Sequence, residues 1–182
     1  MPARAKVYQI KVTLDGSKPP IWRRIQVRSD VTLEKLHYIL QTVMGWTNSH
    51  LHQFIVGDVH YGEPHPDYGD TIREERRARL NQVAPHEGFR FRYEYDFGDS
   101  WMHTLVVEKV LEPEPGQQYP VCIKGKGACP PEDVGGVWGY YSFLEAIRDP
   151  DHPEHEMYLE WIGDEFDPEK FDLEETNEIF GH

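Results

Sequence analysis

Alternation and helical spacing divide the chain into a strand-rich part followed by a helix-rich part. In KVYQIKVTL (6–14), Tyr8, Ile10, Val12 and Leu14 fall on one face, and Val7, Gln9 and Lys11 on the other. That is the period-two signature of a half-buried strand. DGSKPP is a turn by composition, and IWRRIQV (21–27) returns as a second strand of a hairpin. In 32–44 the apolar side chains Leu33, Leu36, Leu40, Val43 and Met44 share one helical face. Thr32 or Asp30 can cap its start, and Gly45 suits the left-handed residue beyond its end. HLHQFIV (50–56) reads as a third strand.

GEPHPDYGD (62–70) reads as a loop, and the arginine-rich 71–84 as part strand and part helix. Residues 89–97 and 101–110 form a central hairpin, followed by the Pro/Gly connector LEPEPGQQYP and an irregular loop, CIKGKGACPPEDVGG. GYYSFLEAIR (139–148) reads as a helix. Asp151 with Glu154 predicts a capped helix over 152–162. Asp167-Pro168 predicts another helix start, with Gly181 after its end. The expected fold is α+β: a largely antiparallel β-sheet with one early helix and a helical, acidic C-terminal third. Residues 1–182 form one domain, with 149–182 packed on it.

Phe89, Phe91, Tyr93, Tyr95 and Phe97 lie on one face of the first hairpin strand, and Arg90, Arg92, Glu94 and Asp96 on the other. A two-residue Gly98-Asp99 turn would set Asp96 opposite Trp101 and Glu94 opposite His103. A three-residue loop, Gly98 to Ser100, would pair Phe97 with Trp101 and Tyr95 with His103. The second choice buries one continuous apolar face, and burial specifies register more strongly than turn preference. The reading here is the three-residue loop.

Charge changes the picture in one place. Of the formal net charge of −13, residues 149–182 carry −12, from 13 acidic side chains and the single Lys170. The rest is nearly neutral, with arginines grouped at 23, 24 and 28, at 73, 76, 77 and 79, and at 90 and 92. These read as solvated faces before they read as a nucleic-acid footprint. The aromatic fraction of 13% argues for a packed core. The N-terminus has no apolar leader-like run, and no stretch approaches membrane-spanning length, so the expectation is a cytoplasmic chain with reduced cysteines and no membrane partner.

Candidate chemistry is scattered. Asp96, Asp99, His103, Glu132 and Asp133 are the candidates for acid–base work. His50 and His52, two apart on a strand, share a face and could hold a divalent metal with His103. His60 and His65 follow nearby. Cys122 and Cys129 are weaker ligand candidates, with six residues between them where a zinc ribbon has two to four. No complete motif demands a cofactor. A binding groove edged by Asp99, Trp101, His103, Glu132, Asp133 and Tyr140 is the other use of these residues. It would take a protein or small-molecule partner, with nucleic acid a less favoured one.

GWTNSHLHQF (45–54), FRYEYDFGDSWMH (91–103), CPPEDVGGVWGY (129–140) and DPDHPEHEMYLEWIGDEFDPEKFD (149–172) occur in that order. Together, from about Tyr8 to Phe180, they resemble the plasmid pRiA4b ORF-3-like family. The resemblance implies an α+β fold. Some members carry a label as resolvase-like passengers of insertion elements, but a serine recombinase needs a nucleophilic serine backed by arginines and a helix-turn-helix, and this sequence shows no such arrangement. The order of preference is a non-enzymatic binding or accessory domain, then a metal-dependent hydrolase or nuclease, then a DNA-binding accessory protein. The hydrolase requires segments 45–54, 93–103 and 129–136 to converge.

Overall fold

The N-terminal strand lies inside the sheet, not at its edge. The computed structural model describes residues 5–163 and 165–182. Strands β1 (Val7–Leu14), β2 (Trp22–Arg28), β3 (His52–Val56), β4 (Val59–Gly62), β5 (Ile72–Glu74), β6 (Arg90–Tyr95), β7 (Trp101–Leu111) and β8 (Val121–Lys126) form one sheet in the order β5-β4-β3-β6-β7-β1-β2-β8. Every neighbouring pair is antiparallel except β4 with β5, which is parallel.

The inward face follows from the alternation. Tyr8, Ile10, Val12 and Leu14 of β1, Ile25 and Val27 of β2, Phe91, Tyr93 and Tyr95 of β6, and Leu105 and Val107 of β7 are all buried. Helix α1 (Leu33–Met44) lies over this face. Thr32 caps it by accepting from the Lys35 amide, and Gly45 ends it in the left-handed region at φ 109°. The Arg23 guanidinium is buried beneath the end of α1. It donates to the carbonyls of Val43 at 2.6 Å and Met44 at 3.4 Å, and of Trp22 and Lys126, and lies 3.9 Å over the Phe171 ring. Burial lowers its pKa to about 10. The carbonyls that a helix leaves orphaned thus receive a full positive charge, which is favourable at the negative end of the helix dipole.

The remaining arginines mostly engage the chain itself. Arg24 pairs with Glu108 at 2.7 Å, Arg28 with Asp30, Arg76 and Arg77 with Glu74, and Arg92 with Asp15. Arg79 donates to the Asp30 carbonyl.

The helical C-terminal third expected from the sequence is not formed. Helices are spread along the chain: α1, the single turn α2 (Leu80–Val83), α3 (Gly136–Arg148), α4 (His155–Ile162) and α5 (Leu173–Ile179). Neither predicted cap starts a helix. Asp151 gives its amide to Asp149 Oδ1 in an Asx turn, and α4 begins only at His155; Asp167 Oδ1 accepts from the Glu169 amide and closes a second Asx turn. Asp172, not Asp167, caps α5 by accepting from the Glu175 amide. Glu154 sits at the cap position of α4 without a side-chain hydrogen bond. Phe171, Leu173 and Phe180 of this segment pack against the core.

Three further expectations are corrected. Residues 121–126, read as irregular, are edge strand β8. Its exposed Ile123 and Lys124 and its Gly125 hide the strand period. Within 62–70, Pro66–Thr71 forms a 3₁₀ turn that continues into β5. The central hairpin closes through a five-residue loop, Asp96 to Ser100, so Tyr95 pairs with Trp101, Tyr93 with His103 and Phe91 with Leu105. This register is two residues from the expected one and keeps the same face inward. Asp96 leaves the strand at φ 62°, and its Oδ1 accepts from the amides of Gly98 and Asp99.

Two histidines are buried as neutral rings. His103 donates from Nδ1 to the Tyr93 carbonyl, and its Nε2 accepts from the Trp46 indole at 3.2 Å. His37 lies between the Tyr93 hydroxyl at 2.7 Å and Asn48 Oδ1 at 2.9 Å. Burial depresses their pKa values from 6.5 to about 4 and about 3. A proton added to His103 Nε2 would face another donor. Below 6.5 the unfolded chain therefore binds more protons than the folded one, and stability falls as pH drops from 6.5 towards 4. Urea unfolding measured at intervals between pH 7.5 and pH 5 is expected to lose up to about 1.4 kcal/mol per pH unit for each histidine. His103→Gln should flatten that slope.

Candidate functional site

Three loops meet at one end of the inward sheet face. The first follows α1 and carries Thr47 to His50. The second is the hairpin loop Asp96–Ser100. The third, residues 130–135, leads into α3. All four non-glycine residues with positive φ among the described residues lie in these loops: Asn48 at 54°, Asp96 at 62°, Ser100 at 52° and Asp133 at 63°. Asn and Asp tolerate this region better than most residues, yet backbone of this kind persists only where the surroundings fix it.

Hydrogen bonds supply that fixing. Glu132 Oε1 accepts from the Thr47 amide at 2.9 Å, the Thr47 hydroxyl at 3.0 Å and the Tyr95 hydroxyl at 3.0 Å. The Tyr95 oxygen in turn accepts from the Ser49 amide at 3.0 Å. Burial raises the Tyr95 pKa, so it stays a donor. Asp99 Oδ2 accepts from the Gly135 amide at 3.1 Å. Asp96 takes the Leu51 carbonyl on its own amide at 2.8 Å.

The loops aim four side chains at one point. His50 Nε2 lies 2.8 Å from Asp133 Oδ1, 3.5 Å from Asp96 Oδ2 and 3.8 Å from Glu132 Oε2. His50, Asp96 and Asp133 each offer an atom within 4.8 Å of the others. His50 Nε2 and Glu132 Oε2 are buried, and neither has an aligned hydrogen-bond partner. The Asp96 side chain is only 10% exposed. Bonds of about 2.0–2.2 Å to a common cation would put neighbouring ligand atoms about 2.8–3.6 Å apart, the range in which His50 Nε2 stands from Asp133 and Asp96. His50 also lines an open cleft of about 430 Å³ with Asn48, Ser49, Leu51 and Glu63.

Other candidates lie elsewhere. His52 is not on a face shared with His50, because β3 begins only at His52. Its ring stacks on His37 at 3.4 Å, and its Nε2 meets the buried Glu75 at 2.8 Å. Trp101 and His103 are buried in the core because the alternation of β7 turns them inward, and Tyr140 is buried on the packed side of α3, away from the cation cluster. Cys122 and Cys129 are free thiols outside the cluster. Burial pushes the Cys122 thiol up to about 11 and the Cys129 thiol well above its ordinary value, which makes both poor ligands and nucleophiles. His60 bonds Gln53, and His65 caps the 3₁₀ turn. Asp99 fastens two loops together. Thr47 and Tyr95, which hold Glu132, carry no signal in the sequence beyond their place in a turn and on an apolar face.

A sequence model of the plasmid pRiA4b ORF-3-like protein family matches residues 6–175. The chain belongs to this family. It is 44% identical over 160 residues to the "Uncharacterized protein y4hQ" of Sinorhizobium fredii, covering 87% of this chain and 82% of that one. Its fold is similar to the crystal structure of the protein of unknown function MM3350 from Methanosarcina mazei Go1, with a TM-score of 0.85, 39% identity, and coverage of 95% of this chain and 98% of that one. No helix among the described residues is long and apolar enough to cross a membrane.

Gly136 sets how closely two of the loops approach. A Cβ there would lie 2.5 Å from the Asp99 carbonyl oxygen, at a φ of 72°. Gly136→Ala is expected to destabilise the protein by about 1–3 kcal/mol, read as a lowered urea midpoint. An unchanged midpoint would show that the loops are not clamped there.

Proposed function

We propose that the protein binds a divalent cation through His50, Asp96 and Asp133 and uses it in a metal-assisted hydrolysis. The observation that carries this reading is the buried His50 Nε2, surrounded by carboxylate oxygens at 2.8, 3.5 and 3.8 Å yet without a hydrogen bond. One imidazole and two carboxylates are a ligand set suited to zinc or manganese. Three protein ligands leave coordination positions for water and substrate, and a bound cation acidifies that water. Glu132, with Oε1 saturated and Oε2 free, stands where a general base or a fourth ligand is needed. The cleft beside His50 gives a substrate access.

A second reading is a non-enzymatic binding or accessory domain in which the cation only fastens the loops. Trp138 favours it: two residues beyond Gly136, it is 88% exposed, an anchor for a protein or small-molecule partner. The internal pairing of the arginines supports a partner other than nucleic acid.

The test is elemental analysis of untagged protein purified without chelators, followed by titration of chelator-stripped protein with zinc and manganese. One cation per chain is expected. Asp133→Asn removes a ligand charge while keeping a residue that tolerates the left-handed backbone, so it should weaken binding at least about tenfold and leave the apo fold intact. At about 100 times its dissociation constant the cation should add about 2.7 kcal/mol of stability, an increment His50→Ala abolishes. Protein that takes up neither metal refutes the site. Stoichiometric metal without turnover of nitrophenyl phosphodiester or carboxyl-ester substrates selects the binding-domain reading.

A further inference from the structure

A second cavity, which shares no lining residue with the cation cluster, lies between the β1–β2 turn and α3. Its volume is about 230 Å³. At roughly 30 Å³ per water-sized volume, it holds about eight non-hydrogen atoms. Pro19, Pro20, Ile21 and Leu144 give it apolar walls.

Three of its four charged side chains are cationic. Lys18, Lys126 and Arg148 line it and are exposed, so they stand at its mouth. None of the three pairs with a carboxylate among the described residues, although the chain carries a net charge of −13 and five of its other arginines are paired. Glu169 also lines the cavity but stands beyond ion-pair distance of them. Deeper in, Tyr140 is 3% exposed, and its hydroxyl is buried with no hydrogen-bond partner. The hydroxyl has no surface open to water, so a ligand acceptor that reaches it by a small shift of the cavity wall would supply the hydrogen bond it lacks. The neighbouring Tyr141 hydroxyl is already committed to the backbone of Gly16 and Lys18, which holds the turn across the cavity.

We propose that this cavity is a binding site for a small amphiphilic carboxylate, whose head group accepts from the Tyr140 hydroxyl and Arg148 and whose apolar body lies along Ile21 and Leu144. The lysines at the mouth favour an anion on approach. An apolar wall with few convergent polar groups is the usual make-up of a small-molecule site.

The test uses octanoate as the probe, with octylammonium as its charge-reversed counterpart, followed through backbone amide chemical shifts. Octanoate should shift Gly127, Tyr141 and Leu144 saturably, and octylammonium should not. Arg148→Glu is expected to weaken octanoate about tenfold or more. Tyr140→Phe, which keeps the packed ring and removes only the unpartnered hydroxyl, should weaken it several-fold with the fold unchanged. The proposal is overturned by no saturable shift at millimolar octanoate, by equal binding of octylammonium, or by wild-type affinity in both variants.

Discussion

The hydroxyl groups of Tyr93 and Tyr95 on β6 tie the parts of this molecule together. Tyr93 donates to His37 and accepts from Gln41, so it holds α1 to the sheet. Tyr95 donates to Glu132 and accepts from the Ser49 amide, so it joins the loop after α1 to the loop before α3. Two residues back, Phe91 fills the same face with an apolar ring. One strand face thus changes along its length from hydrophobic packing to hydrogen bonding. Buried tyrosines suit this because the ring supplies apolar area and the hydroxyl a single directed bond. The four positive-φ residues of the site are arranged around that polar end.

Local pattern carried much of the scaffold and little of its closure. The face of β1, the limits of α1 and its caps at Thr32 and Gly45 all follow from spacing that neighbouring residues set by themselves. The central hairpin shows where this stops. Its inward face is evident from Phe91, Tyr93 and Tyr95, but its register depends on Asp96 taking a left-handed conformation and bonding its own loop, which alternation does not encode. The same limit applies to Asp151 and Asp167, both read as helix caps and both found in Asx turns, because an aspartate suits either and packing selects between them. That is why the acidic end holds two short helices and several turns in place of a helical third.

The candidate site was visible as residues and not as a group. His50, Asp96, Glu132 and Asp133 each stand out in a turn-rich segment, but what brings them together is three loops far apart in the chain. His50 and His52 look like a pair by spacing. A strand that begins one residue after Leu51 sends the first towards carboxylates and the second under α1 towards Glu75. The other two histidines of the expected metal set, at 52 and 103, instead form part of a buried polar layer with His37 and Trp46. Full partnering of such a layer is what makes it tolerable in a core.

The central position of β1 bears on how the chain is made. Its partner on one side, β2, follows within a few residues, but its partner on the other is β7, where Val7 meets Leu111. During synthesis the first hairpin therefore waits, with an open hydrogen-bonding edge and the apolar side chains of β1 bare, until roughly eighty more residues have emerged. Contacts of such long sequence separation make folding slow compared with a helical bundle of this size. The first hairpin is thus the part left longest with an unpaired edge, and a fragment ending short of β7 lacks the pairing that completes the sheet.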